Sequence, residues 1–380
     1  MANKCVLWFS PPLSGRRRSI LIASFLSFFI FTYSGVSSGA GVSAVYEVKV
    51  LLSGSSTPLF CSGLPKECSI TFDQLVSNLE SSDFESRLRK AGYNKVRLVF
   101  ERGVYRLLVP WSLKWKGDVA LDIVGDGVTL TGARLLDFSK VSNEKFLTEA
   151  GFSRAAVGKL WVASIQSLNL VPREAAVGFL LPIVPTQGEL IFRGIPQPLA
   201  SWPNSGFGRI VERKGILVDG AREFYVEGRD ASDWSNESQM RLRGFWSKDW
   251  AEQTFSARVI KEPIAYLRLS GSPFQGVIRG GQRVRVENAL SELDSEGEWF
   301  VDYRAHLIYW WPPEKYDGHG AEFSSVDKLL VVTDSWNVRV SGFKLEGARG
   351  DAVSIEGGGN VQLDRVSVRN VGNRAVVISG

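Results

Sequence analysis

The chain has 380 residues, with 45 Lys and Arg against 40 Asp and Glu, two His and three Cys. The first 44 residues carry four of those basic residues and no acidic one, leaving 41 against 40 in the remainder. The basic excess therefore sits in the leader, and a near-neutral body gives no support for a nucleic-acid partner. Two His residues make no Ser/His/Asp triad legible.

Arg16-Arg17-Arg18 precede a nearly all-apolar run from Ser19 to Tyr33, and Val42-Ser43-Ala44 follows as a small-x-small site. A basic segment, an apolar segment and a cleavage site together describe a secretory signal over residues 1–44. They predict a secreted or periplasmic protein whose contact with a membrane is limited to this segment. The alternative is an uncleaved membrane anchor. In an oxidising compartment Cys61 and Cys68 are placed to close a small disulfide loop. No four-ligand spacing with His306 or His319 exists, so no metal and no cofactor is expected.

Thr71-Phe72-Asp73-Gln74 resembles a capping box. An apolar stripe of Phe72, Leu75, Val76, Leu79 and Leu88 predicts one helix to about Ala91. Val96–Phe100, Val119–Val124 and Val128–Leu130 read as strands, with Gly125-Asp126-Gly127 as a corner. The helix is expected to cover the open end of the strands that follow, so residues 45–150 form a cap and first coils.

Residues 151–325 lack that pattern and hold seven of the twelve Trp between Trp202 and Trp311. Alternating runs such as Leu190–Arg193, Tyr266–Leu269 and Arg283–Glu287 predict an inserted antiparallel β-rich domain. Indole faces stack on sugar rings while Asn and Asp bind hydroxyls, so Trp202, Asn204, Trp246, Asp249 and Trp250 are the candidate glycan-binding residues. The competing reading places these Trp in a core. Of the set, Trp250 is expected to pack and Trp202 to make contact.

From residue 326 a period of 23 takes over. Asn337 to Ile355 aligns without a gap on Asn360 to Ile378, with Val338/Val361, Val340/Leu363, Phe343/Val366, Leu345/Val368, Val353/Val376 and Ile355/Ile378 in register. Leu329 to Val332 supplies an earlier copy of the corner strand. Short alternating strands at this period predict stacked coils, each burying its inward side chains against the next. The expected fold is thus all-β: a right-handed parallel β-helix with a capping helix and an inserted antiparallel domain, its last coils in 326–380. The repeat stops at Gly380 without a polar cap, which leads us to expect a longer native protein, truncated within the β-helix. Gly357-Gly358-Gly359 reads as a corner, because no phosphate-loop pattern follows it.

Three stretches of the insertion occur together in a known family. They are Leu199 to Phe207 with Trp202-Pro203-Asn204, Gly244 to Ala251 with Trp246-Ser247-Lys248-Asp249-Trp250, and Glu287 to Pro313 with Trp310-Trp311-Pro312-Pro313. With the Asn-headed coils they resemble a bacterial family of secreted right-handed parallel β-helix proteins. That family includes glycoside hydrolases of fucosidase and xylanase type, and the resemblance covers about residues 65–380. It implies a polysaccharide or glycan partner and catalytic carboxylates on later coils, beyond Gly380, so no catalytic residue is assigned. Asp351 and Asp364 are the acids nearest suitable corners, and both are expected to be solvated corner residues, with Asp351 facing Arg374. A polysaccharide lyase and a non-catalytic glycan-binding surface protein are the other readings. Oligomeric state is not legible.

Overall fold

A computed structural model describes residues 44–52, 64, 68–78, 82–178, 187–211, 222–261 and 264–380. Residues 1–43, nearly all of the segment expected to be a signal, and Cys61 lie outside these residues. Cys68 is disulfide-bonded.

The protein is predominantly β, and its parallel strands form two ladders. In the first, Cys68–Thr71, Val45–Leu51, Lys95–Phe100, Ala120–Thr131, Trp336–Glu346 and Gly359–Asp364 lie side by side, all parallel. In the second, Trp111–Leu113, Lys328–Thr333, Asp351–Glu356 and Val376–Ser379 do the same. The 23-residue period becomes hydrogen-bonded register: Val338 faces Val361, Val340 faces Leu363, Leu345 faces Val368, and Val353 faces Val376. Alternation does the rest. Tyr46, Val48 and Val50 turn inward on one strand and Val96, Leu98 and Phe100 on the next, where they join one core with Phe343 and Leu345. Burial of each such aliphatic or Phe side chain contributes about 1.5–3 kcal/mol.

Corner residues fix the rungs. Asn337 and Asn360 take left-handed φ of 56° and 53°, which Asn tolerates better than branched residues. The Asn360 amide donates to Asn337 Oδ1 at 2.8 Å, and that of Asn337 to the Gly117 carbonyl at 3.0 Å. At Gly358, with φ of 78°, a Cβ would sit 2.1 Å from the Ser335 carbonyl oxygen. Only glycine fits that corner.

Helices Phe72–Asn78 and Ser82–Lys90 lie where one helix from Thr71 to about Ala91 was expected, and Leu79 of the expected stripe lies outside the described residues. The first helix keeps half of its capping box, because the Gln74 side chain accepts from the Thr71 N–H at 3.2 Å. Phe72, Leu75, Phe84 and Leu88 bury into the coil core. Buried Glu85 accepts from the Val119 and Lys116 N–H groups at 3.0 and 3.2 Å, tying the second helix to the first coils.

The change to antiparallel pairing falls at Gly132, upstream of the expected boundary at 150. Ala133–Leu135 pairs with Ala321–Ser324, so the insertion leaves after one rung, Ala120–Thr131, and returns to build the neighbouring rung, Trp336–Glu346. Gly132 allows the crossing: a Cβ there would lie 2.8 Å from Leu329 and 3.0 Å from the Gly347 carbonyl. Within the insertion six strands close a ring. Glu252–Ile260 pairs with Arg241–Gly244, then Arg283–Glu287, Gly208–Val211, Glu223–Val226 and Tyr266–Leu269, which returns to Glu252–Ile260. Phe224, Trp234, Trp246, Phe255, Leu267, Val284 and Val286 fill this barrel. A second antiparallel sheet of Ser139–Lys140, Trp161–Ser164, Leu307–Trp310 and Trp299–Asp302 packs Trp310 against Phe138, Phe192 and Tyr316.

Candidate functional site

The strand Arg283–Glu287 organises the insertion's polar face. Its sequence alternates, so Val284 and Val286 enter the barrel while Arg283, Arg285 and Glu287 point the other way. Arg241–Gly244 lies beside it, with Arg241 facing Glu287 and Arg243 facing Arg285. On the other side Ser201–Trp202 pairs with it, Ser201 opposite Glu287. The outer surface is therefore a field of guanidinium groups with a few carboxylates among them.

At one end this face closes into a cavity of about 210 Å³ lined by Arg241, Arg243, Glu252, Glu287, Gln187 and Trp299, with Gly372, shortly before the strand Val376–Ser379, at its wall. The Arg243 fork holds both oxygens of Glu252, at 2.8 and 3.0 Å, and Nη1 lies 3.7 Å from Glu287 Oε1. Burial pushes the Glu287 carboxyl up, while Arg243, Arg285 and Arg241 pull it back; burial wins. Burial also pushes the Arg241 guanidinium down. A cavity with convergent polar groups and a perturbed titratable residue is the kind of place where a small polar ligand binds.

The sequence candidates divide. Asn204 and Asp249 both meet the arginine face: Arg285 donates to the Asn204 carbonyl at 3.3 Å and to Ser201 Oγ at 2.6 Å, and Arg283 Nη2 lies 3.4 Å from Asp249 Oδ1. The Asn204 side chain is already committed, donating to Asp294 Oδ1 and Ser295 Oγ at 2.8 Å each. Trp246 is 1% exposed inside the barrel, its Nε1 donating to the Gln253 carbonyl at 3.0 Å. It has no face to offer a sugar, because Gly244 brings the strand onto its ring and Phe224 and Phe255 pack beside it. Trp202 is half-buried against Trp234, and Trp250 is 45% exposed with an edge contact to Phe274. The expected order of these two is reversed: Trp202 packs and Trp250 faces outward.

The coil acids are engaged. Asp351 is buried, not solvated, and bound by Arg374, while Asp364 pairs with Arg339 at 2.6 Å. Arg241, Arg243, Glu252 and Glu287 were not among the residues the sequence singled out. Their signal is the charge alternation Arg241-x-Arg243 and Arg283-x-Arg285-x-Glu287, of which only Arg283–Glu287 was read, as a strand. Among the described residues no group of three or more His, Cys, Asp or Glu side chains is placed to hold a metal. No described helix is long and apolar enough to cross a membrane.

No family model and no curated protein matches the chain. A solved structure described as a glycoside hydrolase is similar to it, with a TM-score of 0.60 at 14% identity. The alignment covers 86% of this chain and 62% of that one. The likeness is one of fold.

Proposed function

We propose that the chain is a secreted carbohydrate-active protein on a right-handed parallel β-helix. A glycan binds where the inserted barrel meets the coils, and the whole protein hydrolyses a polysaccharide. The observation that carries the reading is the cavity between Arg243, Glu252 and Glu287, with coil residue Gly372 at its wall. Its size suits a single sugar residue, and its guanidinium and carboxyl groups match the donors and acceptors of hydroxyls. The parallel ladders at a 23-residue offset and the likeness to a glycoside hydrolase fold support the architecture. Fold alone never fixes a reaction, so hydrolysis stands as the proposal for the whole protein.

Glycan binding without turnover is the second reading, favoured by one contact. Both oxygens of Glu252 are engaged by Arg243, which ties that carboxylate to an ion pair that competes with proton transfer or attack. Calorimetric titration with plant-wall oligosaccharides, run beside a reducing-sugar assay, tests both. Glu287→Gln keeps the shape and removes the acid. Weaker binding at an unchanged melting temperature supports the cavity, whereas unchanged binding refutes it. Sugar release by the wild type that Glu287→Gln abolishes makes Glu287 part of the reaction, and binding without release favours the second reading.

A further inference from the structure

On the barrel wall formed by Glu252–Ile260, Tyr266–Leu269 and Glu223–Val226, the inward row is Phe255, Leu267, Leu269, Phe224 and Val226. The outward row holds Arg258 directly opposite Arg268, which in turn faces Glu223. Two like charges in register across a strand pair are destabilising. Glu223 offsets only one of them, through its ion pair with Arg268. None of the described carboxylates pairs with exposed Arg258. Arg222 adds a third guanidinium, which among the described residues donates to Ser272 Oγ at 2.9 Å. These groups line an open groove of about 740 Å³ together with Ser256 and Ser270. Glu174 stands at the rim, where it accepts from Ser270 Oγ at 2.7 Å. The next outward row is aromatic, with Tyr225 and Tyr266 packed edge to face at 6.1 Å.

A sheet that sets Arg258 opposite Arg268, with Glu223 offsetting only the second among the described residues, beside hydroxyls and aromatic rings departs from its own stability rules, and such departures mark functional sites. We propose that this groove is an anion-binding subsite for an acidic polysaccharide. Arg258 and Arg222 receive a carboxylate or sulfate substituent, Ser256 and Ser270 bind hydroxyls, and the Tyr225–Tyr266 pair borders the sugar ring. Arg is suited to this because its planar fork meets two oxygens of one anion. The proposal rests on the glycan reading above and adds the charge of the substrate. It requires no chemistry, only binding.

The test is titration of the chain with three probes: polygalacturonate oligomers for carboxylate, carrageenan oligosaccharides for sulfate, and neutral xylan oligosaccharides. The expected result is salt-sensitive binding of at least one acidic probe, weakened at least tenfold in Arg258→Gln and less in Arg258→Lys. Neutral-probe binding is the same in both variants. Because the substitution relieves repulsion with Arg268, the melting temperature of Arg258→Gln stays level or rises. Binding of the neutral probe alone overturns the subsite and leaves the cavity reading standing, whereas binding of no probe overturns both. Equal affinity for a single-stranded oligonucleotide overturns the assignment to glycan. A lower melting temperature with unchanged acidic-probe binding makes Arg258 structural and also overturns it.

Discussion

Asp351 and Arg374 stand on successive rungs, 23 residues apart, and close a two-point ion pair with N–O distances of 2.9 and 3.1 Å. The Arg374 backbone N–H and the Asn373 amide fill out the carboxylate, at 3.1 and 2.8 Å. Burial alone pushes this carboxyl up, but the Arg374 bonds outweigh it and hold it below its ordinary range. The repeat is thus locked in register by charge as well as by apolar stacking, since a slip of one residue breaks all four bonds at once.

Arg374→Ala leaves Asp351 short of its charged partner. Hydrogen bonds to charged groups are worth about 1.5–3 kcal/mol, discounted here because the Arg374 side chain is 41% exposed and screened by water. The expected loss is about 1–2 kcal/mol at neutral pH. A carboxyl with a depressed folded pKa stabilises above its unfolded value, about 3.9, and loses that contribution as pH falls through the folded one. Urea titrations of both proteins at pH 7 and pH 3 therefore give a gap at the first that narrows at the second. A gap independent of pH contradicts the charge account.

Gly125 and Phe343 are coupled by space. A Cβ on Gly125 would lie 2.5 Å from the Phe343 ring, which is itself held by Phe100 at a centroid distance of 5.2 Å. Gly125→Ala overpacks this core and costs about 1–3 kcal/mol. Phe343→Leu costs about 1–2 kcal/mol alone, by vacated volume. Together they offset each other, and a double-mutant cycle by chemical denaturation gives a coupling of about 1 kcal/mol or more. Strict additivity means the two sites do not share the space.

The parallel register was legible because its signal is local and repeated. Six apolar pairs at one spacing point to a single register, and Asn337, Asn360 and the glycine corners mark where the chain turns. The arginine face was not legible. Arg241 meets Glu287 across 46 residues of sequence through antiparallel pairing, and nothing local dictates which strands close a barrel. The Trp residues were ambiguous for a physical reason: an indole serves equally as core filler and as sugar platform, so composition alone does not separate Trp246 from Trp250.

Glu298 is a buried carboxyl whose Oε2 accepts from the Asp294 and Ser295 N–H groups at 3.0 Å each. Burial raises its pKa to about 7, against the pull of those two bonds, with Asp294 and Glu292 adding to the rise. A carboxyl with a raised folded pKa stabilises below its unfolded value of 4.5, and the contribution is lost as pH climbs through about 7. Glu298→Gln retains an acceptor oxygen for both N–H groups and removes the charge. Melting temperatures of the two proteins should diverge between pH 5 and pH 8, with the variant gaining on the wild type as pH rises. Parallel curves across that range mean Glu298 does not titrate there.

Trp246 and Trp250 are four residues apart and occupy opposite environments, so truncation separates their roles. Trp246→Ala empties the barrel between Phe224 and Phe255 and orphans the Gln253 carbonyl, at about 3–5 kcal/mol. Trp250→Ala removes an edge-to-face contact with Phe274 at 5.3 Å, worth about 0.5–1.5 kcal/mol. In glycan titrations the order inverts. An outward indole beside the arginine face that stacks on a sugar contributes about 1 kcal/mol, which is about a fivefold change in Kd. Trp246→Ala, measured below its lowered melting temperature, binds as the wild type does. Thermal melts paired with calorimetry on the same two variants decide the matter. A large stability loss at Trp250, or equal affinity with and without its indole, removes Trp250 from the binding surface and leaves the polar cavity to carry it alone.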